Sequence, residues 1–289
     1  MSLAAVLLPI ALAVIMFGLG LGLAPADFRR VLQYPKASVI ALACQVLVLP
    51  AVCLALVLLF GLPPVLAVGM MLLAASPGGT TANLYSHLFG GDVALNVTLT
   101  AINSVLAVFT LPLITNLSIG FFGAEAGTLG LQFDKSVQVF AIVLVPVAIG
   151  MLARARFTAF AERMHTPVKI TSAVILALVI VASVLQELDN IGGYIRDVGL
   201  ITLLFSVVSL AVGYWAPRLA RVGRRQAIAS CMEIGIHNAT LSITVAAGLL
   251  ANTQMAIPSA TYGVLMFFTA AVAGFLLRAR KEEPVAAGS

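Results

Sequence analysis

Glu233-Ile234-Gly235-Ile236-His237-Asn238-Ala239-Thr240 puts a carboxylate inside an apolar stretch of membrane length. Ser76-Pro77-Gly78-Gly79-Thr80-Thr81-Ala82-Asn83 interrupts a second such stretch. Among 16 basic and 11 acidic side chains, Glu233 alone lies well inside one of these segments. A charged side chain at a helix centre costs about 2.5–3.5 kcal/mol on insertion scales, so it needs a partner. No Lys or Arg is close in sequence, which leaves another segment or a mobile cation to neutralise it. Pro77 removes a backbone donor and Gly78-Gly79 favours unwinding, so a break is expected there. Gly235 is a weaker breaker. Where a helix unwinds, the first half ends in free carbonyls that attract a cation, and the second half begins with free amides that attract an anion.

Hydrophobic residues make up 61% of the 289 and charged ones 9%, with mean hydropathy +1.11. That excludes a soluble domain and implies an all-α polytopic membrane protein. The formal charge of +5 is spread between apolar segments instead of gathered on one face, which argues against nucleic acid as a partner. Cys44, Cys53 and Cys231 carry no CxxC spacing and read as packed thiols. With about 20 apolar residues needed per crossing, nine spans are expected at 3–24, 37–62, 65–89, 93–117, 136–152, 167–188, 193–214, 227–250 and 256–277. The first has no basic n-region or clear cleavage site and reads as a retained span.

Nine spans put the termini on opposite sides. With the amino terminus outside and the carboxyl terminus inside, every one of the 16 Lys and Arg residues except Lys135 and Arg196 faces the cytoplasm. A span missed in the middle would scramble that bias. The two interruptions fall in spans three and eight, which cross in opposite directions, so spans one to four and six to nine read as inverted repeats. Corresponding broken helices in two halves point to a transporter's binding site.

Asn96, Thr100 and Asn103 repeat at i, i+4 and i+7 on one helical face, a pattern that serves interhelical hydrogen bonding or ligation. Gln45 stands mid-span, five residues before Pro50. Gln45, Asn83, Asn96, Thr100 and Glu233 together offer the oxygen atoms a hard cation prefers. Gly18, Gly20 and Gly22 suit a close helix contact, and Phe89-Gly90-Gly91-Asp92 suits a turn. His87 and His165 belong to no H-E-x-x-H, there is no G-x-S-x-G, and no catalytic constellation is legible, so an enzyme is not expected.

Pro77-Gly78-Gly79-Thr80-Thr81-Ala82-Asn83, Gly91-Asp92-Val93-Ala94-Leu95-Asn96 and Glu233-Ile234-Gly235-Ile236-His237-Asn238 resemble the bile acid:sodium symporter family, and the likeness covers nearly the whole chain. The first span, with its Asp27-Phe28-Arg29-Arg30 tail, is similar to the second helix of ten-helix bacterial members, which implies the nine-helix form. The resemblance implies a core domain over about 37–117 and 193–277, in which the broken helices cross, and a panel domain of about 3–24, 136–152 and 167–188. It also implies a first sodium site of Asn83, Asn96, Thr100 and Glu233. A second would use Gln45, Glu233, carbonyls near Ile234 and Ile236, and the position of His237. This chain departs from the usual pattern in three places: Ala82 and Asn96 stand where serine is usual, and His237 where glutamine is common. Thr80, Thr81, His237 and Asn238 would face an anionic substrate group.

The expected function is therefore sodium-coupled symport of a small organic anion, bile-acid-like or another carboxylate, in the cytoplasmic membrane of a bacterium, with core moving against panel. Because histidine titrates near neutral pH, a proton-coupled or mixed carrier is an alternative. So is a membrane ligand sensor without turnover. An arsenite- or auxin-like carrier is less suited, since no Cys accompanies Ser76-Pro77. The orientation is tested in a background lacking the three native cysteines. Lys135→Cys and Arg196→Cys will react with a membrane-impermeant maleimide on intact cells, and Arg221→Cys and Arg280→Cys will not; the reverse pattern overturns the assignment.

Overall fold

The computed structural model describes residues 33–123, 145–146, 148–164, 191–250 and 252–278, with a few positions between 13 and 21 and between 166 and 174. Most of each expected span at 3–24, 136–152 and 167–188 lies outside the described residues.

Four described helices are long and apolar enough to cross a membrane: Pro35–Phe60, Val93–Phe122, Val198–Leu219 and Gln254–Leu277. The first comprises α1 (Pro35–Ala43), a wide π turn (Cys44–Val48) and α2 (Leu49–Phe60). Pro50 has no N–H to return to the preceding turn, and the chain widens there, with the Leu49 amide reaching back to the Cys44 carbonyl. The widened turn carries Gln45. Gly61, with φ 60°, ends α2 in the left-handed conformation, and the Leu62 amide closes on the Val57 carbonyl at 3.3 Å.

The two interrupted spans are each built as half-helices. α3 (Pro64–Ala75) stops because Pro77 drives Ser76 to extended backbone (ψ 142°), and α4 (Thr80–Leu88) resumes after Gly79. A tight turn at Gly90, with φ 78°, leads to Asp92, whose carboxylate caps α5 (Val93–Phe122) by accepting from the Leu95 amide at 3.1 Å. α5 runs five residues past the boundary expected from hydropathy. α6 (Ile191–Leu219) packs on α7 (Arg224–Gly235), which breaks at Ile236 and resumes as α8 (Ala239–Ile243) and a π turn (Thr244–Leu249). α9 (Ile257–Leu277) follows and also lies against α6.

The breaks pair with each other. Gly78 and His237 form an antiparallel bridge: the Asn238 amide donates to the Pro77 carbonyl at 2.7 Å and the Gly79 amide to the Ile236 carbonyl at 3.3 Å. Around this crossing Leu72, Leu73, Leu95, Leu99, Ile201, Phe205 and Tyr262 are fully buried. On α5, exposed Phe109, Leu113, Leu117 and Phe121 recur every fourth residue, and exposed Val264, Phe268, Val272 and Phe275 line α9. Large apolar stripes of this kind facing outward suit a hydrocarbon surround, not water. The described chain is thus all-helical and polytopic.

A Cβ at Gly78 would collide with the Glu233 carboxylate, whereas one at Gly79 meets nothing within 4 Å. Gly78→Ala is therefore expected to cost about 1–3 kcal/mol by overpacking, and Gly79→Ala less than about 0.5 kcal/mol. Thermal unfolding in detergent checks the contrast, and equal melting temperatures for the two variants would refute it.

Candidate functional site

Glu233 sits in the last turn of α7, fully buried, and its partners are neutral donors. The Thr100 hydroxyl donates to Oε2 at 2.5 Å and the Asn103 amide Nδ2 to Oε1 at 3.0 Å. The Gly78 backbone amide adds a further hydrogen bond. The collision that any Cβ at Gly78 would make explains the glycine: the chain must pass this close for its amide to meet the carboxylate. Thr100 and Asn103 share one face of α5, as their spacing demands. None of these donors cancels the charge, so the site can still hold a cation.

The amide side chains around the crossing are arranged alike. Gln45 Nε2 donates to the Ser76 carbonyl at 3.0 Å and the Ala74 carbonyl at 3.4 Å. Asn96 Nδ2 donates to the Ala229 carbonyl at 2.7 Å. Reversing either amide would set oxygen against oxygen, so these contacts fix the orientation. In consequence Gln45 Oε1, Asn96 Oδ1 and Asn103 Oδ1, together with Asn83 Oδ1, are buried with no hydrogen-bond partner among the described residues. Unpartnered buried oxygens cost roughly 1–3 kcal/mol each. A carboxylate with several neutral oxygens is the donor set of a hard cation. No group of three His, Cys, Asp or Glu side chains occurs among the described residues, so a nitrogen- and sulfur-rich metal centre finds no ligands there.

The residues expected at the site are placed as follows. Thr100 meets Glu233 directly, Asn96 meets α7 one turn earlier at the Ala229 carbonyl, and Asn83 projects from the half-buried face of α4. Gln45 meets the first break through the Ser76 carbonyl. His237 reaches that same carbonyl, with Nδ1 at 3.1 Å, while its buried ring stacks on Phe205 and meets Tyr262 edge-on. The Ile236 carbonyl already accepts from Gly79, and Ile234 is buried in α7. Asn238 Oδ1 caps α8 by accepting from the Leu241 amide at 3.0 Å. Thr80 opens α4, with its side chain outside the described residues, and Thr81 beside it is half-buried. Asn103 is absent from the ligand set expected from sequence, although it lies on the same stripe as Asn96 and Thr100. Its three-residue step beyond Thr100 is the signal that identifies it.

Known proteins resemble this chain along most of its length. Residues 9–193 match the Sodium Bile acid symporter family. A chloroplastic protein of Oryza sativa, named a probable sodium/metabolite cotransporter, is 26% identical over 90% of this chain and 61% of its own length. An uncharacterized sodium-dependent transporter of Bacillus subtilis is 29% identical over 88% of this chain and 77% of its own. The ileal sodium/bile acid cotransporter of Oryctolagus cuniculus is 25% identical over 82% and 68%. The chain thus spans about three fifths of the rice protein. These relatives are named as transporters, not enzymes. With the matched region covering Gln45, the first break and the Asn96, Thr100 and Asn103 stripe, the chain belongs to the sodium bile acid symporter family.

Proposed function

We propose that this chain is a secondary active transporter that carries a small organic anion together with sodium across a bacterial cytoplasmic membrane. The observation that carries the reading is the buried Glu233 carboxylate held by neutral donors, one of which, Asn103, leaves its own amide oxygen without a partner among the described residues. Sodium is cargo here, taken by Glu233 with Asn83, Asn96 and Thr100, and with the Asn103 oxygen, which the sequence reading left out. The substrate anion is received at the amino end of α4, where Thr80 and Thr81 begin a half-helix. Core and panel domains move against each other. The close approach of Gly150 to the Phe17, Gly20 and Leu21 backbone, and the hydrogen bond from Arg154, just beyond the fifth stretch, to the Leu21 carbonyl at 3.1 Å, support a panel that includes the first and fifth stretches.

The second expected sodium site is only partly committed elsewhere: Gln45 Oε1 and His237 Nε2 have no partner among the described residues, while the groups around them do. The Ser76 carbonyl accepts from Gln45 and lies against His237 Nδ1, the Ile236 carbonyl accepts from Gly79, and the His237 ring packs against Phe205 and Tyr262. One sodium per cycle is the stoichiometry we propose, because an imidazole nitrogen at His237 is a poor ligand for a hard cation.

The coupling is tested by a thermal-shift screen of carboxylates and sulfonates with and without sodium, followed by counterflow of the best hit in proteoliposomes. Glu233→Gln is expected to raise the half-maximal sodium concentration at least tenfold, about 1.4 kcal/mol; indifference to the swap, or uptake without sodium, removes the sodium reading. Saturable binding without counterflow would instead identify a sensor. Uptake is expected to rise hyperbolically with sodium, with a Hill coefficient of about 1 for a single site, and a coefficient approaching 2 restores the second site.

A further inference from the structure

Beyond Glu233, a set of oxygens without partners continues toward one membrane face. Helical hydroxyls elsewhere close on the carbonyl one turn back: Thr98 on Ala94 at 2.8 Å, Ser104 on Thr100 at 2.6 Å, Thr115 on Leu111 at 2.7 Å and Thr202 on Val198 at 2.7 Å. Ser38, Ser86 and Ser230 do not. Their hydroxyls are buried with no partner among the described residues, and each residue has zero exposure, as does Asn96; the buried Ser209 hydroxyl on α6 is unpartnered as well and is not part of this set. Four helices contribute one residue apiece, and α1 and α4 both pack on α5 and α7.

Their levels follow from helix geometry. Ser230 lies one turn before Glu233, about 4.5 Å along α7, and Asn96 one turn before Thr100, about 6 Å along α5. Ser38 lies about 10 Å before Gln45 on α1 and Ser86 about 10 Å beyond Gly79 on α4. Cross-links fix them on one side of the crossing. Asn96 is held on the Ala229 carbonyl, next to Ser230, and a Cβ at Gly91 would touch both the Ser86 hydroxyl and the Ala229 amide. The Asp92 amide donates to the Arg225 carbonyl at 3.0 Å, joining the α4–α5 turn to the start of α7. This end of the helices carries Lys36, Arg224 and Arg225, which the positive-inside rule assigns to the cytoplasm.

We propose that Ser38, Ser86, Asn96 and Ser230 form a relay of neutral oxygens through which sodium leaves Glu233 for the cytoplasmic face. The proposal rests on the sodium-coupled reading. Its ligand is a partly dehydrated alkali cation. Neutral hydroxyl and amide oxygens bind such an ion weakly, which suits transit, because conduction needs sites that an ion can leave. Glu233 supplies the charge that retains it. Asn96 belongs to both sets and is the step between them.

The opposing explanation is that these serines are small residues that let helices approach, in which case alanine replaces them without consequence. The test uses Ser86→Ala, Ser230→Ala and their double variant, reconstituted in proteoliposomes, with radioactive sodium exchange measured beside a sodium thermal-shift titration. Removing an unpartnered buried hydroxyl is expected to leave the melting temperature equal or higher. Half-maximal sodium stays within about twofold, while exchange in the double variant slows about tenfold. Ser230→Thr, which keeps a hydroxyl, restores most of the rate. Exchange at the wild-type rate in the double variant overturns the relay, as does a loss of affinity parallel to the loss of rate, which would make these serines part of the Glu233 site. If Glu233→Gln leaves sodium binding intact, the sodium reading itself fails; the relay fails alone when Glu233→Gln weakens binding and the serine variants exchange normally.

Discussion

The antiparallel pairing of the two helix breaks is the constraint on which the site depends. Inside a bilayer every backbone N–H and C=O must find a partner within the protein, so an unwound segment is tolerated only where something else supplies one. Here each break supplies the other, through the Asn238 amide on Pro77 and the Gly79 amide on Ile236. The carbonyls left over are met by side chains: Ser76 by Gln45 and His237, and Gly235 by the Tyr262 hydroxyl at 2.9 Å. Gln45 is presented from a π turn beside Pro50. The pairing also sets the distance between Gly78 and Glu233, because a fixed bridge at Gly78 and His237 brings the first break onto the last turn of α7.

Much of this was legible in the chain. Pro77 with two glycines marks an ending helix, and a lone glutamate in an apolar span marks a site, so both breaks and the carboxylate follow from residue chemistry. The i, i+4, i+7 spacing on α5 placed Thr100 and Asn103 on one face before any contact was known. The pairing of the breaks was not legible, since a backbone bridge between positions so far apart leaves no local pattern. Nor were the directions in which amides point. Asn96 and Gln45 read simply as oxygen donors, and only the carbonyls of Ala229 and Ser76 show that each amide binds by nitrogen and leaves its oxygen over. Asn238 read as a substrate contact, and the structure adds a local role: its oxygen caps α8, which leaves the amide nitrogen as the group that could donate to an anion.

This division of labour within the amide side chain makes interhelical glue and the proposed ion ligation compatible in one residue. The nitrogen of Asn96 holds α5 to α7 and the nitrogen of Gln45 holds the widened α1–α2 turn to the first break, so both residues are structural. The same contacts orient the oxygens, and a structural hydrogen bond thereby preorganises a ligand. Replacing such an amide by a hydroxyl would keep an oxygen and lose the fixed orientation. Asn96, where serine is usual, gains that second function.

Occupancy and conformation are therefore coupled through the crossing itself. Without a cation, buried oxygens without partners destabilise the paired breaks by an amount comparable to a sizeable share of a protein's net stability. A bound cation removes that cost and stabilises the crossing in proportion to the logarithm of its concentration over its dissociation constant. The amino end of α4 begins directly after Gly79, whose amide takes part in the pairing. Ordering the breaks thus orders the first free amides of the half-helix proposed to receive the anion. On the proposed reading the Gly78 amide bonds the carboxylate that takes the cation and the Gly79 amide, next in the chain, holds the start of α4, so binding of either ion would favour the other without a contact between them.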